Sequence, residues 1–518
     1  MTSKAITREP DTHSGGDWHS RTEAAPSVVR SDDPVVARAI GLVGAVLVIV
    51  FGGAPLLLTL TGRVSPIGPG LASFSLALGV ACLLFHAAFD SDVQFRRVYM
   101  AFGYVVVIVG AFLAVVPHPN KMGDQFGKAA PCLLLGLVFL LAFLRNETDA
   151  WMRRVAQNFI GAAGAIMAGV GLVGGNIKGE FLVPIGFLLA LLGLIYLTAY
   201  VGSRGIGDDR SYRVGQIIGA VGALVFLVAL VRSALPQQRE YLVPSGILLM
   251  FLGFLYGLVS IGLCSDRPLV VLTRRELGAF FYSPIAYITL FACIIADSLA
   301  YIMFMNDVLD RQSPMYEPIV RNFILQWPTV LFTICIVPVI TMRLMSEEKR
   351  TGTLEVLLTA PVGETSVALS KFFAAFLFFL ATWVPFGLLL LALRIEGGKP
   401  FDYRPLLSFF VGLCFTGAGF VSMGLFFSSL TRNQIISGIL TLVGMVALTL
   451  IFLFNMMLQR LKGPDTPWAA VLTHISYLDI WVDTTDGKLV PRLLLFYFSM
   501  TIAWLFLTIK VLEARRWT

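Results

Sequence analysis

Runs of fifteen to twenty-seven mainly apolar residues recur from Val36 to Leu512, and this repetition limits the chain more than any other feature. About 20 such residues in a helix cross the hydrocarbon layer of a bilayer. Lipid offers no partner for backbone N–H and C=O groups, so runs of this length must be helices that satisfy those groups internally. Hydrophobic residues make up 57% of the 518, and charged residues only 14%. No soluble core accounts for that much apolar sequence. The expectation is an all-α polytopic membrane protein with about fourteen transmembrane helices.

Eight spans are predicted in the first half: Val36–Leu60, Gly70–Ala88, Val98–Val116, Ala130–Leu144, Asn158–Val173, Phe181–Val201, Val214–Val231 and Tyr241–Leu263. Six follow: Tyr282–Met305, Phe323–Thr341, Val367–Leu393, Leu406–Leu430, Gln434–Asn455 and Leu493–Leu512. Residues 1–34 are polar and mix both charge signs, which predicts a disordered tail rather than a cleaved signal peptide. The six cysteines lie in or at the ends of apolar runs without a CxxC pair, and the five histidines lack metal-ligand spacing, so no metal site is expected.

The net charge of +7 raises the possibility of a nucleic-acid partner. In a membrane protein, however, positive charge has the ordinary use of fixing orientation. With the N-terminus in the cytoplasm, the cytoplasmic connections of the first half carry Arg96, Arg97, Arg145, Arg153, Arg154, Arg204, Arg210 and Arg213. No nucleic-acid partner is expected. The reading is a multi-pass protein of the plasma (inner) membrane with both termini cytoplasmic.

The region 35–264 repeats itself. Phe181–Tyr196 aligns with Tyr241–Tyr256, sharing Leu-Val-Pro, two glycines and the final tyrosine in register, and Ile160–Ala165 matches Ile218–Ala223. Each unit is a helical hairpin, and both copies start on the same side of the membrane, as parallel repeats do. Two earlier helix pairs have the same length without the same residues. Glycines along these helices predict close backbone packing.

A dense charge cluster, Ser346-Glu-Glu-Lys-Arg-Thr-Gly-Thr-Leu-Glu355, interrupts the second half between two spans. Glu347, Glu348, Lys349 and Arg350 fill about one helical turn, Thr351 and Gly352 break it, and Thr353 to Glu355 offer a fresh start. Such a segment presents both charge signs to a soluble partner. The residues alone also fit an ordinary solvated loop. Ahead of it, Leu269–Phe281 is too polar to cross but sets Leu and Phe against Arg274, Arg275 and Glu276, which suits a helix lying in the interface.

Here the chain resembles the membrane subunits of type-2 ABC transporters, and within them the gliding-motility-associated branch. The likeness rests on Arg274-Arg-Glu-Leu-Gly-Ala-Phe-Phe-Tyr-Ser-Pro-Ile-Ala-Tyr287, on Pro338–Arg343 running into Glu347–Val362, and on Leu505–Trp517. It covers about residues 265–518. The resemblance implies a six-helix ABC-2 permease core with an elbow helix at 269–281 and a coupling helix within 346–358. It further implies pairing with a second permease subunit and ATP-driven motion delivered by a separate cytoplasmic ABC ATPase. No G-x-x-x-x-G-K-[ST] motif occurs, so ATP and Mg are expected on that partner and no cofactor on this chain. The implied activity is export, with no catalytic site here. A nonenzymatic membrane scaffold is the alternative, and a secondary transporter using the intramembrane Asp297 is a third reading. Residues 462–491 read as short helices at the outer interface, anchored by Trp468, Tyr477 and Trp481.

Overall fold

The computed structural model describes residues 34–53, 69–89, 92–115, 122–177, 185–205, 208–235, 245–309, 319–353, 363–396, 404–462 and 466–516. All regular structure among them is helical. The first region holds α1 (Pro34–Val46, continued by a π-helix Leu47–Gly53), α2 (Pro69–Phe89), α3 (Val93–Val115), α4 (Met122–Asn146), α5 (Ala150–Ile177), α6 (Phe187–Arg204), α7 (Asp209–Ala234) and α8 (Ile247–Cys264). Then come α9 (Pro268–Tyr282), α10 (Pro284–Leu309), α11 (Ile319–Ile324), α12 (Trp327–Thr341), α13 (Ser346–Thr351) and α14 (Glu364–Thr382). The last are α15 (Val384–Glu396), α16 (Arg404–Leu430), α17 (Gln434–Lys462), α18 (Pro467–Ile475), α19 (Tyr477–Thr485) and α20 (Pro491–Arg516). Among the described residues, eleven helices are long and apolar enough to cross a membrane, and three shorter apolar stretches, Arg38–Phe51, Leu78–Ala87 and Ala129–Arg145, fall on the remaining expected spans. The chain is an all-α polytopic membrane protein.

Packing divides it into two compact units, Met1–Phe102 with Val138–Thr148, and Gly103–Leu137 with Asp149–Thr518. In the first, His86 is buried and its Nδ1 shares a 2.7 Å hydrogen bond with the Tyr99 hydroxyl.

One crossing recurs in four hairpins. A Cβ on Gly44 would stand 2.9 Å from the Gly79 carbonyl oxygen, one on Gly136 2.9 Å from that of Gly103, one on Gly164 3.1 Å from that of Gly193, and one on Gly222 2.7 Å from that of Gly253. Backbone therefore meets backbone at equivalent places in α1/α2, α3/α4, α5/α6 and α7/α8, which only glycine permits. Three residues beyond the second glycine stand Cys82, Phe139, Tyr196 and Tyr256. The two tyrosines reach the preceding hairpin: Tyr196 donates to the Leu133 carbonyl at 2.6 Å and Tyr256 to that of Ala190 at 2.7 Å. The earlier pairs thus repeat the geometry with a different residue at the tyrosine position.

Two expected spans are broken. Phe323–Thr341 divides at Leu325–Gln326, since Pro328 near the start of α12 has no N–H to continue the helix before it. Val367–Leu393 divides at Trp383, and Pro385 in the first turn of α15 accounts for it in the same way. The core of the later helices is aromatic: Phe323 stacks on Phe386 at 4.3 Å, while Trp481 meets Trp383 and Phe409 edge-on, each at 5.5 Å. Tyr477 and Trp481 are thus core residues and not interfacial anchors. Trp481 Nε1 donates to Thr416 Oγ1 at 3.2 Å, and Tyr477 shares a 3.0 Å hydrogen bond with Thr449, so both rings are buried with their polar atoms satisfied. Trp468 alone of the three is exposed.

Candidate functional site

The charged interruption is anchored at a sharp corner. After α12 the chain turns through Met342–Met345 into the six-residue α13, and the serines at the end of α16 fill the freed polar positions. Ser428 Oγ accepts from Met345 N at 3.0 Å and Ser346 N at 3.2 Å, satisfying donors that a helix start leaves open. Thr341 lies against Gly424, where a side chain would collide with its hydroxyl. Lys349, buried, donates to the Ser429 carbonyl.

Glu347 and Glu348 are also paired within the protein. Arg343 forks onto both Glu347 oxygens at 2.7 and 3.0 Å and reaches Ser283 Oγ, between α9 and α10, at 3.1 Å. Lys371, on α14, donates to Glu348 at 2.6 Å and to Glu276 of α9 at 3.0 Å. Its side chain is only 3% exposed. One ammonium therefore ties the expected elbow helix, the expected coupling segment and a membrane helix together. Burial pushes the Glu276 carboxyl up, but Lys371 and Arg275 outweigh it and hold that carboxyl below its usual range. Phe280 stacks on Phe378 at 4.9 Å along the same α9–α14 seam. A cavity of about 340 Å³ lies beside the junction, with Glu276, Arg343 and Lys371 at its polar side and Phe280, Ile340 and Phe378 at its apolar side.

Of the residues singled out in the sequence, Glu276, Glu347, Glu348 and Lys349 meet here. Arg274 donates to the Ser265 carbonyl at 2.7 Å and Arg275 to Glu276 at 2.8 Å. Arg350, Thr351, Gly352 and Thr353 form an exposed edge. Gly352 ends α13 at φ 75°, a left-handed cap that a side chain would strain. Glu355 lies outside the described residues. Asp297 is buried on α10, fourteen residues from Ser283 and about 21 Å away at the helical rise of 1.5 Å per residue, and it takes no part in the junction. Sequence reasoning missed Lys371, Arg343, Ser428 and Ser429. A lone lysine at the start of an apolar helix was the available signal for Lys371.

Residues 282–448 match the family described as ABC-2 family transporter protein, a stretch that covers less than half the chain and includes α10 to α16, the junction's Arg343, Glu347, Glu348 and Lys371, and about half of α17. No curated protein and no solved structure matches the chain. The segment supports a membrane permease of an ABC transporter, a transport subunit rather than a catalytic one, whose family implies an ABC ATPase as partner.

Proposed function

We propose that this chain is the membrane subunit of an ATP-driven ABC-2 exporter, which receives motion at residues 346–353 from a separate cytoplasmic ATPase loaded with ATP and Mg. The region 265–518 is the permease core, 35–264 a set of hairpins added to it, and 1–34 a cytoplasmic tail. The chain works in the inner membrane beside a second permease subunit, with both termini cytoplasmic. Membership of the gliding-motility-associated branch rests on the sequence likeness around Arg274–Tyr287 and Glu347–Val362.

The observation that carries the reading is the Glu276–Lys371–Glu348 bridge. A push on the exposed edge Arg350–Thr353 enters a six-residue helix that cannot move alone, because Lys371 links it to α9 and α14 while Ser428 and Ser429 hold it to α16. Motion at the edge becomes motion of membrane helices. The test is purification in mild detergent with identification of copurifying subunits, followed by an ATPase assay. Wild type should bring down an ATP-binding protein, and Arg350→Glu should weaken that association or uncouple hydrolysis from transport. A purified chain that retains no ATPase, with Arg350→Glu indistinguishable from wild type, refutes the coupling and favours the scaffold.

A further inference from the structure

A second opening lies away from the junction, between the two best-matched hairpins. Each hairpin is closed by its own glycine crossing, and the two hairpins meet through their second helices, where Tyr256 of α8 bonds Ala190 of α6. Their first helices, α5 and α7, are left facing each other across a cleft of about 930 Å³. That is at the upper end of the roughly 300–1,000 Å³ typical of small-molecule sites. One wall is small, with Gly161, Ala165 and Gly169; the other is aliphatic, with Ile217, Val221 and Leu224. Ile217 and Leu224 are 60% and 62% exposed, and a Cβ on Gly169 would meet nothing within 4 Å.

All four helices are candidate spans, so this opening lies at membrane depth. The apolar middle of the opening gives water few of the partners it needs, which suits hydrocarbon instead. One mouth adds charge. Arg204, its side chain 11% exposed, donates to Asn158 Oδ1 at 2.9 Å and lies 5.0 Å from the Tyr200 ring centre; Asn158 and Tyr200 both line the cleft. Its Nε is buried without a hydrogen-bond partner, and its other contact is Asp208 at 3.6 Å. Arg154 precedes Asn158 by one turn of α5 and Arg213 precedes Ile217 by one turn of α7, so each continues a cleft-lining face. Arg204 thus stands at one mouth of an apolar slot, while Arg154, whose Nε donates back to the Ala150 carbonyl at 3.1 Å, and Arg213 lie one turn beyond lining residues toward the same end, outside the lining itself. Basic pockets between membrane helices suit anionic lipid headgroups.

We propose that the cleft binds a phospholipid with an anionic headgroup, its acyl chains between α5 and α7 and its phosphate at the Arg154, Arg204 and Arg213 mouth. This site is independent of the coupling junction. The test uses the full-length protein in detergent, titrated with dioleoylphosphatidylglycerol or dioleoylphosphatidylcholine and read by native mass spectrometry and thermal denaturation. Phosphatidylglycerol should bind more tightly, and Arg204→Gln with Arg213→Gln should remove that preference, by about fivefold for each guanidinium. Gly169→Leu, which fills the slot from a position with room for a side chain, should weaken both lipids. Gly202→Leu, equally uncrowded but outside the lining, should leave both unchanged. Equal binding of the two lipids, or indifference to Gly169→Leu, overturns the proposal. So does a Gly169→Leu protein that changes oligomeric state but not lipid binding, because a second copy then occupies the cleft. Loss of the preference on Arg232→Gln, at the far end, with none on Arg204→Gln, overturns the assignment of the headgroup.

Discussion

The hairpin region and the later helices solve the same packing problem in opposite ways. In α1 to α8 the contact is backbone on backbone: four glycine crossings bring helices neighbouring in sequence together. In α9 to α20 it is large side chains and charge, with an aromatic core drawn from Phe323 to Trp481 and a lysine paired with a glutamate 95 residues away. Lipid provides no hydrophobic drive between helices, so close approach of small residues or satisfied polar groups must hold them. The first region is built of local units. The second is held by long-range ties, which suits a part that must move as one body.

Breaking the most deeply buried of these ion pairs should have the largest effect. Lys371→Met leaves Glu276 and Glu348 facing each other without their shared cation, and removing one member of a buried ion pair costs about 3–5 kcal/mol. Thermal denaturation in detergent should show it, together with loss of transport. Adding Glu276→Gln and Glu348→Gln to Lys371→Met should recover most of the stability, since no buried charge is then orphaned. A Lys371→Met protein as stable as wild type would show that the bridge does not hold the junction.

The corresponding break in the hairpin region is smaller and stays local. A Cβ at Gly222 falls 2.7 Å from the Gly253 carbonyl oxygen, so Gly222→Val must separate α7 from α8, at about 1–3 kcal/mol of overpacking strain. Gly257→Ala, on α8 with open space at its Cβ, is the control and should be close to neutral. Proteolysis after Gly222→Val should loosen α7/α8 while leaving the α9–α14 seam protected.

The same contrast separates what could be read in the sequence. Apolar runs reveal spans because each span is a local property, and eleven long helices with three shorter apolar ones fall where the runs are. The repeat was legible in α5/α6 and α7/α8 because Leu-Val-Pro and Tyr recur there. It was hidden in α1 to α4 because the geometry asks only for a glycine pair, while lipid leaves the surrounding apolar residues free to vary. At the junction the charges of Glu347 to Arg350 were legible, but their direction was not. Lys371 lies 23 residues after Glu348 and 95 after Glu276, and no local pattern announces that three such positions meet. Trp481 was misread for a related reason: an aromatic residue between spans looks interfacial until Thr416 is seen to accept its N–H.

Acid should weaken the junction before it touches the hairpins. The folded Glu276 carboxyl sits below its ordinary value of 4.5, so the ionised form is favoured by folding. Its contribution is complete above about 4.5 and fades as pH falls through the lower, folded value. Denaturation curves from pH 7 to pH 3 should therefore lose stability at the acid end in wild type, with a smaller loss in Glu276→Gln. Equal acid sensitivity in the two proteins would remove Glu276 from the account.

The smallest expected change in stability sharpens the comparison most. Arg350 is exposed at the end of α13 and pairs with none of the buried groups, so Arg350→Ala should alter stability by no more than about 0.5 kcal/mol. If the edge Arg350–Thr353 meets an ATPase, that substitution should nonetheless depress ATPase association, whereas Lys371→Met should spare the docking edge but lose the transmission behind it. Association measured by copurification and coupling measured by transport-dependent hydrolysis then separate along the charge cluster. If both substitutions fail in the same assay, edge and bridge form a single docking surface, and the long-range tie serves to present the segment rather than to carry its motion.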